Sequence, residues 1–227
     1  MGGRPLIVDG ASHVARAIDL DATSSRSPEM IAIGERLRAD ALAEHASIAA
    51  FARTICQLVA LGAPTSLLEK TQRALADEIA HTNEMIAWSA RLGAPLLPGA
   101  LPEAVAPFPS FGDARGIAVA LLRDVVEGGC VGETLAAHDL AARALDLGLP
   151  EELRDMLART ADDEARHAAL AFETAAWIVS AHSDLAPVLH DERARALAMR
   201  TAAERALLAP LFESLGQNFP VWKSRIA

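Results

Sequence analysis

The sequence has no tyrosine, only two cysteines and few aromatic residues, which make up 4% of its 227 residues. Hydrophobic residues nevertheless make up 52%, and much of this fraction is alanine and leucine. Such a composition favours helices over strands. Two cysteines do not provide a disulfide framework, and the start of the chain has no signal-peptide pattern. We therefore expect a cytoplasmic protein.

Basic charge and long apolar runs are also scarce. The formal net charge is -9, which argues against a nucleic-acid partner because phosphate binding requires basic patches. No run of about 18 apolar residues occurs, so we expect no membrane-spanning helix. The length of 227 residues favours one large domain.

The sequence does contain one five-residue pattern twice. The two copies are Asp77-Glu78-Ile79-Ala80-His81 and Asp163-Glu164-Ala165-Arg166-His167. On a helix, a Glu and a His three residues apart lie on one face, one turn apart, so the pair can bind a metal ion. A single Glu-x-x-His arises by chance in many helical proteins. Two copies, each with an Asp directly before the Glu, are much stronger evidence.

Start and stop signals divide the first half of the chain into two helices. Ser27 is a suitable N-cap and Pro28 fits the first turn, while Gly62 followed by Pro64 ends the helix. A second helix begins at Thr65 or Ser66 and ends at the next Gly-Ala-Pro stop. Because only a few residues connect them, the two helices are expected to be antiparallel neighbours.

The second half repeats this organisation after a long connector. Residues 93–112 contain five prolines and no helical period, and they are numerous enough to travel the length of a helix bundle. A third helix starts near Asp113 and a fourth follows the stop at Gly148-Leu149-Pro150. The predicted fold is therefore an all-α four-helix bundle with a long crossover between helices 2 and 3.

These signals divide the chain into three predicted regions. Residues 1–26 are predicted to be an irregular N-terminal segment, and residues 27–181 to form the bundle. Residues 182–227 are predicted to form one additional helix, about Ser183 to Leu215, and a tail packed on the outside of the bundle.

Each predicted hairpin also has a glutamate among the apolar positions of its first helix. These residues are Glu44 and Glu133. Glu127 is the alternative in the third helix, but it lies about 120° away from the apolar face, so we favour Glu133.

Four carboxylates and two imidazoles should then meet in one core. Ionised glutamates are costly there unless cations compensate them, and two divalent ions would do so. The expected metal ligands, and hence the expected catalytic centre, are Glu44, Glu78, His81, Glu133, Glu164 and His167. Mixed oxygen and nitrogen ligands with open positions suit two iron ions, two manganese ions or a mixed Mn/Fe pair better than a tetrahedral zinc. Asp77 and Asp163 are expected to accept the second ring N–H of the histidine ligands.

This ligand pattern resembles that of the ferritin-like di-iron carboxylate superfamily, over residues 28–181. The second copy, Asp163 to His167, is also similar to the signature of bacterial di-iron hydroxylases. In those proteins the Asp and the Arg support the ligands, which implies that role for Asp163 and Arg166. The first copy departs from the signature, because Ala80 stands at the position of the Arg.

The resemblance implies an oxidoreductase that activates dioxygen or peroxide and oxidises a small organic substrate. An oxygenation would require an external electron donor, and a homodimer is compatible with the fold. A ferroxidase or iron-handling protein is one alternative, and a metal-binding structural bundle is another. The lack of Tyr argues against a ribonucleotide-reductase radical subunit, and the lack of Cys-x-x-Cys argues against a rubrerythrin with a rubredoxin module.

Overall fold

The computed structural model describes residues 6–8, 11–20, 27–101 and 113–217, and most of these residues are helical, as predicted. The helices are α1 (Pro28–Ala60), α2 (Thr65–Arg91), α3 (Ala114–Asp124), α4 (Thr134–Ala144), α5 (Glu151–Ala181), α6 (Ala186–Ala198) and α7 (Ala202–Gln217). A π-helical segment, Val125–Glu133, joins α3 directly to α4, and a short 3-10 turn, Ser183–Leu185, precedes α6.

The sequence signals set the ends of α1 and α2. The Ser27 side chain accepts a hydrogen bond from the Met30 backbone N–H, and Pro28 occupies the first turn of α1. Gly62 and Gly93 follow the two helices with φ values of 69° and 92°. Glycine adopts this left-handed conformation at little cost, so both helices end where the sequence predicts.

The helices form two neighbouring pairs. Helices α1 and α2 pack against each other, as do α4 and α5, and α2 also contacts α5. Two apolar clusters lie at different levels along these helices. The first includes Phe51, Leu67, Leu122, Val126, Trp177 and Ile178. The second includes Leu37, Met85, Leu140, Leu153, Met156 and Leu157. Residue order along the helices places Glu44, Glu78 and Glu164 between the two clusters.

The N-terminal segment is not irregular, which corrects the prediction for the described part of residues 1–26. Strand β1 (Leu6–Val8) pairs antiparallel with β2 (Ala11–His13). Strand β3 (Ala17–Asp19) pairs with β4 (Leu96–Pro98), which lies in the connector after α2. The partners of this second pair are distant in sequence, so neither strand has a local signal. Residues 102–112, the remainder of the predicted crossover, lie outside the described residues.

The C-terminal region also differs from the prediction of one additional helix. Helix α6 ends at Ala198, and α7 begins at Ala202. Between them Thr201 and Glu204 form a capping box, in which the Thr201 backbone N–H donates to the Glu204 carboxylate at 2.7 Å and the Glu204 N–H donates to the Thr201 hydroxyl at 3.3 Å. This cap starts a new helix and breaks the predicted one.

None of the helices in the described residues is long and apolar enough to cross a membrane.

Candidate metal centre

The structure brings the six predicted ligand residues together in the interior. Glu44 comes from α1, Glu78 and His81 from α2, Glu133 from the end of the π-helical segment, and Glu164 and His167 from α5. The four glutamates are 0% exposed and the two histidines 3%. Because the two apolar clusters lie on either side, this polar group is surrounded by a medium of low polarity.

The six residues form two overlapping groups of four. One group contains Glu44, Glu78, His81 and Glu164. The other contains Glu78, Glu133, Glu164 and His167. In each group, one ligand atom per residue lies within 4.8 Å of the others. Glu78 and Glu164 belong to both groups, and their carboxylates can therefore bridge two adjacent ions.

Each histidine is held from both sides by residues of other helices. Nε2 of His81 lies 3.1 Å from Oδ2 of Asp163, and Nδ1 lies 3.2 Å from Oε1 of Glu164. His167, on α5, makes the equivalent contacts with α2, and its Nε2 lies 3.1 Å from Oδ2 of Asp77. Its Nδ1 lies 3.1 Å from Oε1 of Glu78. Each Asp-Glu pair thus contacts the histidine of the other copy of the pattern.

These contacts leave one nitrogen of each ring facing the cluster. A neutral imidazole has one N–H and one lone pair. When Nε2 donates to Asp163 or Asp77, the Nδ1 lone pair of that ring faces a carboxylate oxygen, and the two lone pairs repel. A positive charge must lie between them, either a proton or a metal ion. The residues therefore fit a metal pair, with the Asp residues fixing the ring orientation.

Burial raises the pKa of two of the glutamates. The pKa of Glu44 is raised to about 7, chiefly by burial and then by the charge of Glu164. Burial, followed by the charges of Glu44 and Glu164, raises the pKa of Glu78 well above its usual value. In the part of the chain that the structure describes, both carboxylate oxygens of Glu44 are buried without a hydrogen-bond partner. These carboxylates require a cation or a proton.

His81 and Glu164 have opposite charges when both are ionised, and each favours the charged form of the other. Burial opposes protonation of His81, but Glu164, Glu44 and Asp163 together outweigh it and raise the pKa of His81 to about 9. Burial likewise favours the neutral form of Glu164, yet the adjacent imidazoles of His167 and His81 hold its pKa below the usual value. Four carboxylates are balanced fully by two divalent cations, whereas two protonated imidazoles balance only half of their charge.

Arg166 lies on the outer side of the cluster. Its guanidinium contacts Asp163 and lies 3.6 Å from Oδ2 of Asp77, and its side chain is 62% exposed. Arg166 therefore bridges the two aspartates that contact the histidines. The supporting role that the sequence resemblance implies for Arg166 stays a prediction.

The π-helical segment contains both glutamates that the sequence offers as ligands from this helix, Glu127 and Glu133. Glu133, at the end of the segment, lies in the cluster. Glu127 instead pairs with Arg200, in the connection between α6 and α7. Wide helical turns of this kind are frequent at functional sites. The choice of Glu133 over Glu127 as the candidate ligand therefore agrees with the positions of the two side chains.

Sequence reasoning missed a buried ion pair beside the cluster. Asp40 is 1% exposed and lies one turn before Glu44 on α1. Its carboxylate accepts a hydrogen bond of 2.7 Å from Arg143 on α4. The spacing of Asp40 and Glu44 on one helix face is a usable signal, but the partner on a distant helix is not readable from the sequence.

Comparisons with protein-family models, with curated proteins and with solved structures found no match for this chain. Support for a function therefore comes from the residues and their geometry.

Proposed function

We propose that this chain is a ferritin-like four-helix-bundle protein that binds two iron ions and acts as an oxidoreductase. It would activate dioxygen or peroxide and oxidise a small organic substrate. Manganese or a mixed Mn/Fe pair could take the place of iron, because the same oxygen and nitrogen ligands suit both metals. The observation that supports the proposal most strongly is the reciprocal arrangement of His81 and His167, each with one nitrogen facing the buried carboxylates.

The proposed ligand assignment follows the two overlapping groups. Glu44 and His81 would bind one ion, Glu133 and His167 the other, and Glu78 and Glu164 both. Bound iron ions would supply the redox change and the Lewis acidity that the reaction requires.

The protein has three tasks in this proposal. Asp163 and Asp77 orient the two imidazoles by accepting a hydrogen bond from Nε2 of each ring. Arg166 contacts both aspartates and holds their carboxylates near the histidines. The apolar clusters on either side limit the access of water, which strengthens each charge interaction inside the cluster.

The proposed setting is cytoplasmic, with an external electron donor if the reaction is an oxygenation. A small molecule and O₂ are the expected reactants, and neither nucleic acid nor a membrane is an expected partner. A homodimer remains compatible with the proposal.

The test is to measure metal content and oxygen consumption in the same samples. Reconstituted wild-type protein should hold two iron ions per chain, and the reduced protein should consume O₂. Glu78→Ala and Glu164→Ala should lose both properties, whereas the control Glu84→Ala should keep both. Glu84 lies on α2 like Glu78, but its side chain is 46% exposed.

Other results would redirect or reject the proposal. Retention of far more than two irons per chain would indicate the ferroxidase or iron-handling alternative. Stable metal without oxygen consumption would indicate a structural metal site. Full metal occupancy in Glu164→Ala would refute the ligand assignment.

A further inference from the structure

A groove between residues of α2 and α5 leads from the surface to the candidate metal centre. Its volume is about 250 Å³, and its wall includes His81, Asp163 and Arg166. We call it the His81 groove. Nδ1 of His81 lies 3.2 Å from Oε1 of Glu164, a member of both ligand groups. The His81 side chain therefore lies between the groove and the buried carboxylates.

Side-chain exposure increases stepwise from the centre to the surface along this groove. The exposed fraction is 0% for Glu164, 4% for His81, 25% for Asp163 and 62% for Arg166. Each of these side chains contacts the next one. A cation that moves inward loses water, and it needs other oxygen or nitrogen ligands in exchange. The groove offers such ligands at successive depths, whereas the two apolar clusters on either side of the centre offer none.

Arg166 lies across the outer end of this series. Its guanidinium contacts Asp163 and lies 3.6 Å from Oδ2 of Asp77, so it covers aspartates from both copies of the repeated pattern. Its positive charge repels a cation that approaches them. Because most of the side chain is in solvent, Arg166 can move away without disturbing the core. Both aspartates are then available to the cation.

The sequence difference between the two copies places the groove beside His81. Arg166 directly precedes His167, whereas Ala80 directly precedes His81. Ala80 lines the groove, and its side chain ends at Cβ, so it leaves this side of the centre uncovered. The centre thus has one arginine for two histidines.

A second polar route to the centre is more firmly closed. Asp40 lies one turn before Glu44 on α1, but it is 1% exposed and its carboxylate accepts a hydrogen bond of 2.7 Å from Arg143. A cation on that route would have to separate a buried ion pair, which is costly.

We propose that divalent cations reach the candidate metal centre through the His81 groove and that Arg166 is the gate residue of this path. The path is closed while Arg166 contacts Asp163 and Asp77. The gate role rests on the metal binding of the proposed function, but not on the redox reaction. A residue that only supports the ligands slows metal release, whereas a gate residue slows both uptake and release.

The first experiment measures the rates of cobalt binding with the metal-free full chain. Stopped-flow absorbance after mixing with Co²⁺ gives the uptake rate, and addition of excess EDTA to the loaded protein gives the release rate. Arg166→Gln should bind and release Co²⁺ about 10-fold faster at low ionic strength, because a positive charge close to the path no longer opposes a divalent ion. Added salt should reduce this difference.

Arg159→Gln is the matched control. Arg159 lies on α5, lines the same groove and is 63% exposed, but its partner is Glu84 at 3.7 Å. This variant removes the same charge without uncovering the two aspartates. It should change both rates less than about twofold, because solvent screens an exposed charge.

The second experiment needs no metal. NMR measures how fast the ring N–H protons of His81 and His167 exchange with water in the metal-free protein. Arg166→Gln should accelerate this exchange, because it uncovers the aspartates that accept these hydrogen bonds. Arg159→Gln should leave it unchanged.

Three results would overturn the gate role of Arg166. They are faster release without faster uptake in Arg166→Gln, equal acceleration in Arg159→Gln, and unchanged ring N–H exchange in Arg166→Gln. All three leave the two-iron proposal standing if the wild type binds two ions. If the wild type binds no metal, the proposed function fails, and the exchange experiment alone decides whether Arg166 closes the groove.

Discussion

The imidazole of His81 on α2 lies 3.1 Å from the carboxylate of Asp163 on α5, so each copy of the repeated pattern supports the histidine of the other copy. The reciprocal pair, His167 and Asp77, has the same distance of 3.1 Å. These two contacts connect α2 to α5 through two of the proposed ligands, His81 and His167. Loss of either aspartate should therefore affect metal binding without removing a ligand.

We expect Asp163→Asn to weaken metal binding about 10- to 100-fold, because groups that orient a ligand histidine typically have effects of this size. The neutral amide oxygen can still accept a hydrogen bond from Nε2, but it no longer compensates charge there and holds the ring less firmly. Competition titration with a metal-binding dye gives the affinity directly. Asp162→Asn is the matched control, since Asp162 is exposed and adjacent; an equal loss in that variant would show a general charge effect instead.

Metal stoichiometry should distinguish shared from unshared ligands. Glu164 belongs to both ligand groups, whereas Glu44 and Glu133 belong to one each. We expect Glu164→Ala to lose both ions, and Glu44→Ala or Glu133→Ala to retain one tightly bound ion per chain. Elemental analysis after dialysis measures the ratio. Two ions retained at wild-type affinity in both single-group variants would contradict the assignment.

Much of the helical framework was predictable because its signals are local. The cap at Ser27, the glycines that end α1 and α2, and the Glu-x-x-His pairs depend on residues only a few positions apart. The pairing of β3 with β4 depends on residues distant in sequence, and no local pattern encodes it. The capping box at Thr201 was readable in principle, but leucines on both sides of it, such as Leu197 and Leu207, favoured one continuous helix.

The candidate centre was predictable to a similar degree. The apolar spacing around Glu44 and Glu133 indicated which glutamates face inward, and both lie in the cluster. The pairing of aspartates with histidines across helices was not readable, because it depends on how two hairpins are placed side by side. The π-helical segment before Glu133 also lacks a distinctive sequence signal.

Close packing of the π-helical segment against α5 gives a stability prediction. A Cβ atom added at Gly129 would overlap the Cβ of Ala171. We expect Gly129→Ala to destabilise the protein by about 1–3 kcal/mol, the usual cost of overpacking a core. Thermal unfolding of the metal-free protein would measure the loss. The double variant Gly129→Ala with Ala171→Gly should recover much of it, and no recovery would contradict the proposed contact.

The stability of the metal-free protein should fall as the pH rises from 6 to 8.5. The pKa of Glu44 is raised to about 7 and that of His81 to about 9 in the folded protein. A group whose folded pKa exceeds its unfolded pKa stabilises the protein at low pH, and this contribution is lost as the pH rises through the folded value. Over the same range the metal-loaded protein should become more stable, because protons compete with the metal for its ligands. Thermal unfolding of both forms at several pH values measures the two slopes. If the stability of both forms changed with pH in the same direction, the groups that titrate in the metal-free protein would not be the groups that bind the metal.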